Sequence, residues 1–118
     1  ATISPYVVRA IGEAAARRYF LTAERFSATR AAQLGLVHEV VPADRLDAQV
    51  AEIVAALVAN GPAAVRACKQ LVKDVAGQPL DATLRDETAR RIADIRASAE
   101  GREGVRAFLD KREPSWKC

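Results

Sequence analysis

The chain has 118 residues, 50% of them hydrophobic and 5% aromatic, and this length suits one ordinary domain. Much of the hydrophobic share is alanine, which favours packed helices over a β-sandwich or barrel and predicts a core with few large side chains. The 18 basic residues nearly balance the 15 acidic ones, so most charges are expected on solvated helix faces.

Two cysteines and one histidine restrict the chemistry that the chain offers. Cys68 falls within a predicted helix and Cys118 is the last residue, so no disulfide framework is indicated and we expect a reducing cytoplasm. Three such scattered side chains form no metal-ligand cluster, and no metal is expected. No signal-peptide pattern opens the chain, and no apolar run approaches the roughly 20 residues that span a bilayer.

A glycine divides the first predicted helical segment into two. Ser4, followed by a proline, predicts a helix start, and a short helix is expected over residues 6–11 before Gly12 interrupts it. A second helix is predicted over residues 13–20, with Phe20 and Leu21 at its buried end.

Residues 21–42 predict a helix, a glycine stop and a short strand in succession. Ser27 is a suitable N-cap for a helix over residues 28–34, and Gly35 can take the left-handed conformation that ends it. The β-favouring run over residues 37–41 then predicts a strand, which the following proline ends.

Two consecutive helices are predicted next. Apolar residues recur at the spacing of one helical face over residues 43–60, which indicates an amphipathic helix. Gly61 ends this helix, and Pro62 begins another that runs to residue 76. The short connection predicts that the two helices form an antiparallel pair.

The last third of the chain predicts a long helix, a glycine break and a final helix. The long helix is expected over residues 80–98, with arginines and interleaved acidic residues on a solvated, ion-paired face. Gly101 is the predicted break, a helix over residues 102–112 follows, and residues 114–118 are a predicted tail. The final helix is expected to be buried through three apolar side chains, Val105, Phe108 and Leu109.

Two motifs resemble patterns of one enzyme family. Residues 21–42 fit L-T-[AG]-x-x-[FI]-x-A-x-x-A-x-x-[LW]-G-L-V-x-x-V-V-P, and residues 103–116 fit E-G-x-x-A-F-x-x-K-R-x-P-x-W. With the segment at residues 3–12, they resemble the C-terminal part of the enoyl-CoA hydratase/isomerase (crotonase) family over essentially the whole chain. The Ile-Ser-Pro-Tyr-Val run at residues 3–7 is most similar to members acting on branched or carboxylated enoyl-CoAs, such as methylglutaconyl-CoA hydratases.

The resemblance implies a mainly α chain, the C-terminal helical domain of a crotonase-like α/β fold. It implies about six to seven helices with one short strand at residues 37–41. Residues 1–42 would border the acyl pocket, and residues 43–118 would form a helical trimerisation region. Because the family's catalytic glutamates and CoA-cradling strands lie upstream, the N-terminal catalytic core would be absent. We therefore expect a C-terminal piece of a longer enzyme, inactive by itself, isolated deliberately or by proteolysis.

The resemblance also implies the reaction of the parent enzyme, which adds water across the 2,3 double bond of an enoyl-CoA. That chemistry needs a base, an acid and two N–H donors for the thioester oxygen. The glutamates here, among them Glu13, Glu24 and Glu39, do not align with the family's catalytic positions, so no catalytic residue is assigned. Coenzyme A would enter as part of the substrate, with no separate cofactor.

Four residues are implied as substrate contacts. Ala1 and Thr2 fall in the loop that lines the family's acyl pocket. Lys111 matches the lysine that lies near the adenine and ribose-phosphate end of CoA, although a lysine there also complements the helix dipole. Phe108 is a candidate platform for the adenine, with a place in the core as the alternative. The family also implies self-association of the parent as a trimer or hexamer.

Alternatives from other classes stay open. An isomerase or a hydrolase of the same superfamily would differ in acid and base residues that lie outside this chain. The alanine-then-glycine run at residues 29–36, in a basic chain, also suggests a helix-turn-helix, which requires a recognition helix after Gly35. A helical assembly module without a ligand is the third possibility. The leading interpretation predicts neither a nucleic-acid partner nor a membrane.

Overall fold

Six α-helices make up most of the part of the chain that the computed structural model describes, residues 1–117, and no strand occurs in it. The helices are α1 (Ser4–Thr22), α2 (Ala28–Gln33), α3 (Leu46–Val58), α4 (Pro62–Val75), α5 (Ala82–Ala97) and α6 (Ala99–Leu109), with a 3₁₀ turn at Ala43–Arg45. The prediction of a mainly α chain is confirmed. Two compact units are present, Ala1–Gln49 and a second that begins at Val50 within α3.

The break predicted at Gly12 is confirmed, because helical geometry on both sides of it is interrupted by φ +77° and ψ 162°. Only glycine adopts that region without strain. The predicted burial of Phe20 and Leu21 is wrong, since their side chains are 52% and 81% exposed. Tyr19 is buried instead, and the centroid of its ring lies 4.7 Å from that of Phe26. Successive helical residues point about 100° apart, so burying Tyr19 turns Phe20 towards solvent.

The predicted start and end of α2 are confirmed. The Ser27 hydroxyl accepts a hydrogen bond from the Arg30 N–H at 3.1 Å. Gly35 takes φ +78°, and the Leu36 N–H donates to the Ala31 carbonyl at 2.9 Å. These contacts are those of a Schellman ending, in which glycine occupies the left-handed position.

The strand predicted at residues 37–41 is wrong, because this segment has no regular secondary structure. A strand satisfies its N–H and C=O groups by pairing with a neighbouring strand, and residues 1–117 contain none. The β-favouring composition therefore leaves an irregular connection. It contains no recognition helix either, so the requirement of a helix-turn-helix is not met.

The predicted antiparallel pairing of α3 and α4 is also wrong, since the chain bends by 104° between residues 43–58 and Pro62–Val75. The start of α4 is held by Glu100 of α6, whose carboxylate accepts from the N–H groups of Ala63 and Ala64. α4 accordingly contacts α5 and α6. No single helix in residues 1–117 is long and apolar enough to cross a membrane, and the bent pair α3–α4 meets that test by length and composition only.

The break between α5 and α6 lies at Ser98, three residues before the predicted Gly101. Ser98 ends α5 and is also the N-cap of α6, because its hydroxyl accepts from the Gly101 N–H at 3.0 Å. Gly101 lies in the first turn of α6, where a Cβ atom would overlap the carbonyl oxygen of Ile95. This glycine is needed for close approach of two backbones and does not end a helix.

The core is poor in large side chains, as predicted. The buried hydrophobic residues among those described are Ala16, Tyr19, Ala31 and Ala107. α6 shows why, since Ala107 is 2% exposed whereas Phe108 is 82% exposed. The predicted burial of Val105, Phe108 and Leu109 is therefore wrong. α6 packs through its small residues, and these larger side chains lie on its outer face.

Candidate functional site

The C-terminal end of α6 carries the two residues of the predicted CoA contact. The Arg112 N–H donates to the Ala107 carbonyl at 3.0 Å, and the Lys111 N–H donates to the Phe108 carbonyl at 3.2 Å. This is a Schellman ending in which Lys111 occupies the left-handed position, with φ +53°. Glycine or asparagine is usual there, so the lysine is not explained by backbone preference.

Glu103 holds the chain that follows Lys111. Its two carboxylate oxygens pair with the Arg112 guanidinium at 2.7 and 2.9 Å, and one of them also accepts from the Ser115 N–H at 3.0 Å. The hydrogen bonds from Arg112, followed by that from the Ser115 N–H, lower the pKa of the Glu103 carboxyl to about 2. The position of Lys111 is thus fixed on both sides, by the helix end and by this ion pair.

The predicted tail packs within the second unit through Trp116. Its indole N–H donates to the Ala59 carbonyl at 3.3 Å, and a Cβ atom on Gly104 would lie 3.1 Å from its ring. Trp116 also borders an open apolar cavity of about 390 Å³. The other lining residues are Leu57, Val58, Asn60, Pro62 and Val65. Residues 114–117 are therefore anchored, and Cys118 lies outside the described residues.

The predicted substrate contacts are found on exposed surface. Phe108 lies in the last turn of α6 and Lys111 in the turn that follows it, both exposed, and the alternative of a core position for Phe108 is wrong. Ala1 and Thr2 belong to the first unit, where they form the turn before α1. The Ala1 carbonyl accepts from the Ser4 N–H at 3.0 Å. Contact of these residues with an acyl group or with CoA stays a prediction.

The glutamates not assigned to catalysis are surface charges. Glu13 pairs with Arg17, and Glu24 pairs with Arg18 at 2.5 Å. The hydrogen bond from Arg18 lowers the pKa of the Glu24 carboxyl, which opposes a role as a proton donor near neutral pH. In the described part of the chain, no three His, Cys, Asp or Glu side chains could hold a metal ion.

Sequence reasoning missed several residues that organise this end of the molecule. Glu100 caps a helix 37 positions earlier, and no local pattern indicates so distant a partner. Arg102 and Arg106 are one helical turn apart and line a cavity with Arg96 of α5. Their spacing was visible in the sequence, but their meeting with Arg96 depends on how α5 and α6 cross.

Comparison with solved structures defines the class of protein. The chain matches a crotonase-family structure from Legionella pneumophila with a TM-score of 0.94 and 48% identity, over 99% of this chain and 45% of that one. An enoyl-CoA hydratase from Shewanella pealeana matches with a TM-score of 0.90 and 46% identity, over 98% and 43%. The class is that of enoyl-CoA hydratases and isomerases.

The model of the enoyl-CoA hydratase/isomerase family matches residues 1–118, and the chain belongs to this family. A 2,3-dehydroadipyl-CoA hydratase of Escherichia coli K12 is 32% identical over 112 residues, 94% of this chain and 43% of the relative. A mevalonyl-coenzyme A hydratase of Aspergillus fumigatus is 32% identical over 117 residues, 96% of this chain and 42% of the relative. The chain thus spans less than half the length of these relatives.

Proposed function

We propose that the chain is the C-terminal helical part of an enoyl-CoA hydratase, a lyase that adds water across the 2,3 double bond of an enoyl-CoA. The match of the family model to all 118 residues carries this proposal, and the names of the hydratase relatives support it. The chain covers 42–43% of those two relatives, so the acid and base are proposed to lie outside it. By itself it is expected to be inactive.

Lys111 and Phe108 are proposed to contact the nucleotide end of CoA. The lysine has no ion-pair partner within residues 1–117, and an ammonium group suits a phosphate as a point charge. The exposed ring of Phe108, three residues earlier, offers a flat apolar face to an adenine. The left-handed backbone of Lys111 supports a role in binding, because helix ending alone favours glycine at this position.

Ala1 and Thr2 are proposed to line the acyl pocket of the whole enzyme. Both are exposed, so another part of the enzyme or the acyl group itself has access to them. The narrower proposal, a branched or carboxylated enoyl-CoA such as methylglutaconyl-CoA, depends on the resemblance of residues 3–7. The relatives named for 2,3-dehydroadipyl-CoA and mevalonyl-CoA are equally similar to this chain, so they favour neither acyl group.

Subunit assembly is proposed as the role of the exposed apolar face of α3. Its side chains are about half exposed and repeat along one side of the helix. They are Leu46, Val50, Ile53, Val54, Leu57 and Val58. So large an apolar surface is typical of an interface, here with other parts of the enzyme or with neighbouring subunits of a trimer or hexamer.

Two measurements test this proposal. Hydration of a short enoyl-CoA is assayed with the 118-residue chain and with a longer protein from the same gene. Activity only in the longer protein supports the proposal. Activity in the short chain would place the acid and base among its own residues, and an isomerase or hydrolase activity of the longer protein would replace the hydratase assignment.

The CoA contact is tested separately by calorimetric titration of CoA into the longer protein. Lys111→Ala is expected to weaken CoA binding about tenfold, the loss of one charge-assisted contact. Lys69→Ala is the matched control, because Lys69 is also exposed and lies on α4. Equal affinity of wild type and Lys111→Ala would exclude the proposed contact.

A further inference from the structure

Three arginines from two helices line one cavity on the surface of the second unit. Arg96 comes from the last turn of α5, and Arg102 and Arg106 come from successive turns of α6. The cavity measures about 300 Å³, at the lower end of small-molecule sites. Val105 and Leu109 form its apolar wall.

These arginines differ from Arg90, Arg91 and Arg112 in forming no ion pair within residues 1–117, although the charge of Arg106 acts on the Glu103 carboxylate. Arg90 and Arg91 pair with Glu87, and Arg112 pairs with Glu103. The Arg102 guanidinium donates to the Ala97 carbonyl at the end of α5, which holds it beside the cavity, and the partial negative charge of this helix end offsets part of its positive charge. Among residues 1–117, no ion pair holds Arg96 or Arg106.

We propose that this cavity binds a phosphate monoester with an apolar organic group. Guanidinium groups bind phosphate oxygens through paired N–H donors, and several converging arginines favour a dianion. Val105 and Leu109 supply the surface for the organic group. The carboxylate of Asp110 also lines the cavity and pairs with Arg112 at 3.6 Å, so it opposes the anion and limits its affinity.

The proposal does not depend on hydratase activity or on the role proposed for Lys111, which does not line this cavity. The phosphate monoester could belong to CoA or to another molecule, since the recognised chemistry is the same. Competition between CoA and a simple probe distinguishes these sources, because CoA displaces the probe only if CoA binds in this cavity. Either result is compatible with a site formed by the three arginines.

Phenyl phosphate is the probe, titrated into the full chain by calorimetry at constant ionic strength. Arg96→Gln and Arg106→Gln are each expected to weaken binding about tenfold, because each removes one charge-assisted contact. Arg66→Gln is the matched control, an exposed arginine of α4 outside the cavity, and it is expected to leave the affinity unchanged. Circular dichroism verifies that the variants keep their helix content.

Further arms separate specific binding from general attraction of anions. Asp110→Asn is expected to tighten phenyl phosphate, and inorganic phosphate is expected to bind more weakly than the ester. Lys111→Ala is expected to leave the affinity for phenyl phosphate unchanged, because Lys111 does not line this cavity, and weaker binding of the probe by this variant would assign the probe to the proposed CoA contact. Equal weakening by Arg66→Gln, or unchanged binding in both Arg96→Gln and Arg106→Gln, would overturn the proposal and reduce the cluster to surface charge.

Discussion

Glu100 provides the sharpest test of how the second unit is held together. Its carboxylate oxygens accept from the Ala63 and Ala64 N–H groups at 2.9 and 2.8 Å. Pro62, at the first position of α4, has no N–H, so Glu100 satisfies the next two donors that a helix start leaves unpaired. One side chain of α6 thus completes the start of α4.

Glu100→Gln is expected to lower the free energy of unfolding by about 2 kcal/mol. The amide keeps the shape of the side chain, but its NH₂ group cannot accept a hydrogen bond. One part-buried N–H therefore loses its partner, which costs about 1–3 kcal/mol of folding free energy. Loss of the negative charge at a helix N-terminus adds about 0.3–1 kcal/mol. With a typical urea slope, the unfolding midpoint is expected to fall by about 1 M.

Urea unfolding monitored by fluorescence of Trp116 measures this effect, because the chain has one tryptophan and its indole N–H donates to the Ala59 carbonyl, three residues before α4 begins. Glu52→Gln on the exposed surface of α3 is the control and is expected to stay within about 0.5 kcal/mol of wild type. An unchanged midpoint for Glu100→Gln would refute the capping role.

A double-mutant cycle with Gly61 tests the same contact independently. A Cβ atom on Gly61 would overlap the Glu100 carboxylate, so Gly61→Ala is expected to displace the cap and destabilise the unit. Because both substitutions break one interaction, their combined effect is expected to fall short of additivity by about 1 kcal/mol. Full additivity would mean that the glycine and the carboxylate act separately.

Three further substitutions probe the α5–α6 connection and the end of α6. Gly101→Ala is expected to destabilise the chain by about 2 kcal/mol in urea unfolding, since the new methyl group overlaps the backbone carbonyl of Ile95. The pKa of Glu103 is about 2 in the folded chain against 4.5 ordinarily, so its ion pair with Arg112 stabilises fully above about pH 4.5 and is lost as the pH falls towards 2. The midpoints of urea unfolding at about pH 6 and about pH 3 are expected to differ less in Glu103→Gln than in wild type. Lys111→Gly is expected to raise the free energy of unfolding by about 1 kcal/mol, because glycine adopts φ +53° freely. The same substitution is expected to weaken CoA binding by the longer protein. A loss of stability would instead mean that the lysine serves to end the helix.

Signals that act within a few residues were predicted well from the sequence. Ser27 caps α2, Gly12 interrupts α1, and Pro62 begins α4, each as its local chemistry indicates. These features depend on backbone groups at most a few positions away, which the sequence contains in full. The family motifs at residues 21–42 and 103–116 similarly needed no knowledge of packing.

Features that depend on distant partners were mispredicted or missed. The prediction of a strand at residues 37–41 fails because the composition of this segment indicates only a preference for extended backbone. It does not show whether a neighbouring strand is present to pair with. The prediction of an antiparallel α3–α4 pair fails because Glu100 holds the start of α4. This glutamate lies 36 and 37 positions beyond the N–H donors that it accepts from. The same dependence hides the arginine cluster, which forms only where α5 and α6 meet.

The orientation of α6 shows how hydrophobicity alone can misplace a core. Glycines at 101 and 104 and Ala107 recur every three residues, and the close contacts of α6 with Ile95 and Trp116 lie along this small-residue side. Small residues allow helix backbones to approach closely, so this side packs inward although its larger neighbours are more apolar. Phe108 is consequently exposed beside Lys111, on a helix end that two hydrogen bonds and the Glu103–Arg112 pair hold in place. An exposed aromatic ring three residues before a lysine that has no ion-pair partner within residues 1–117 is suited to binding a nucleotide, and these two side chains are the physical basis of the proposed CoA contact.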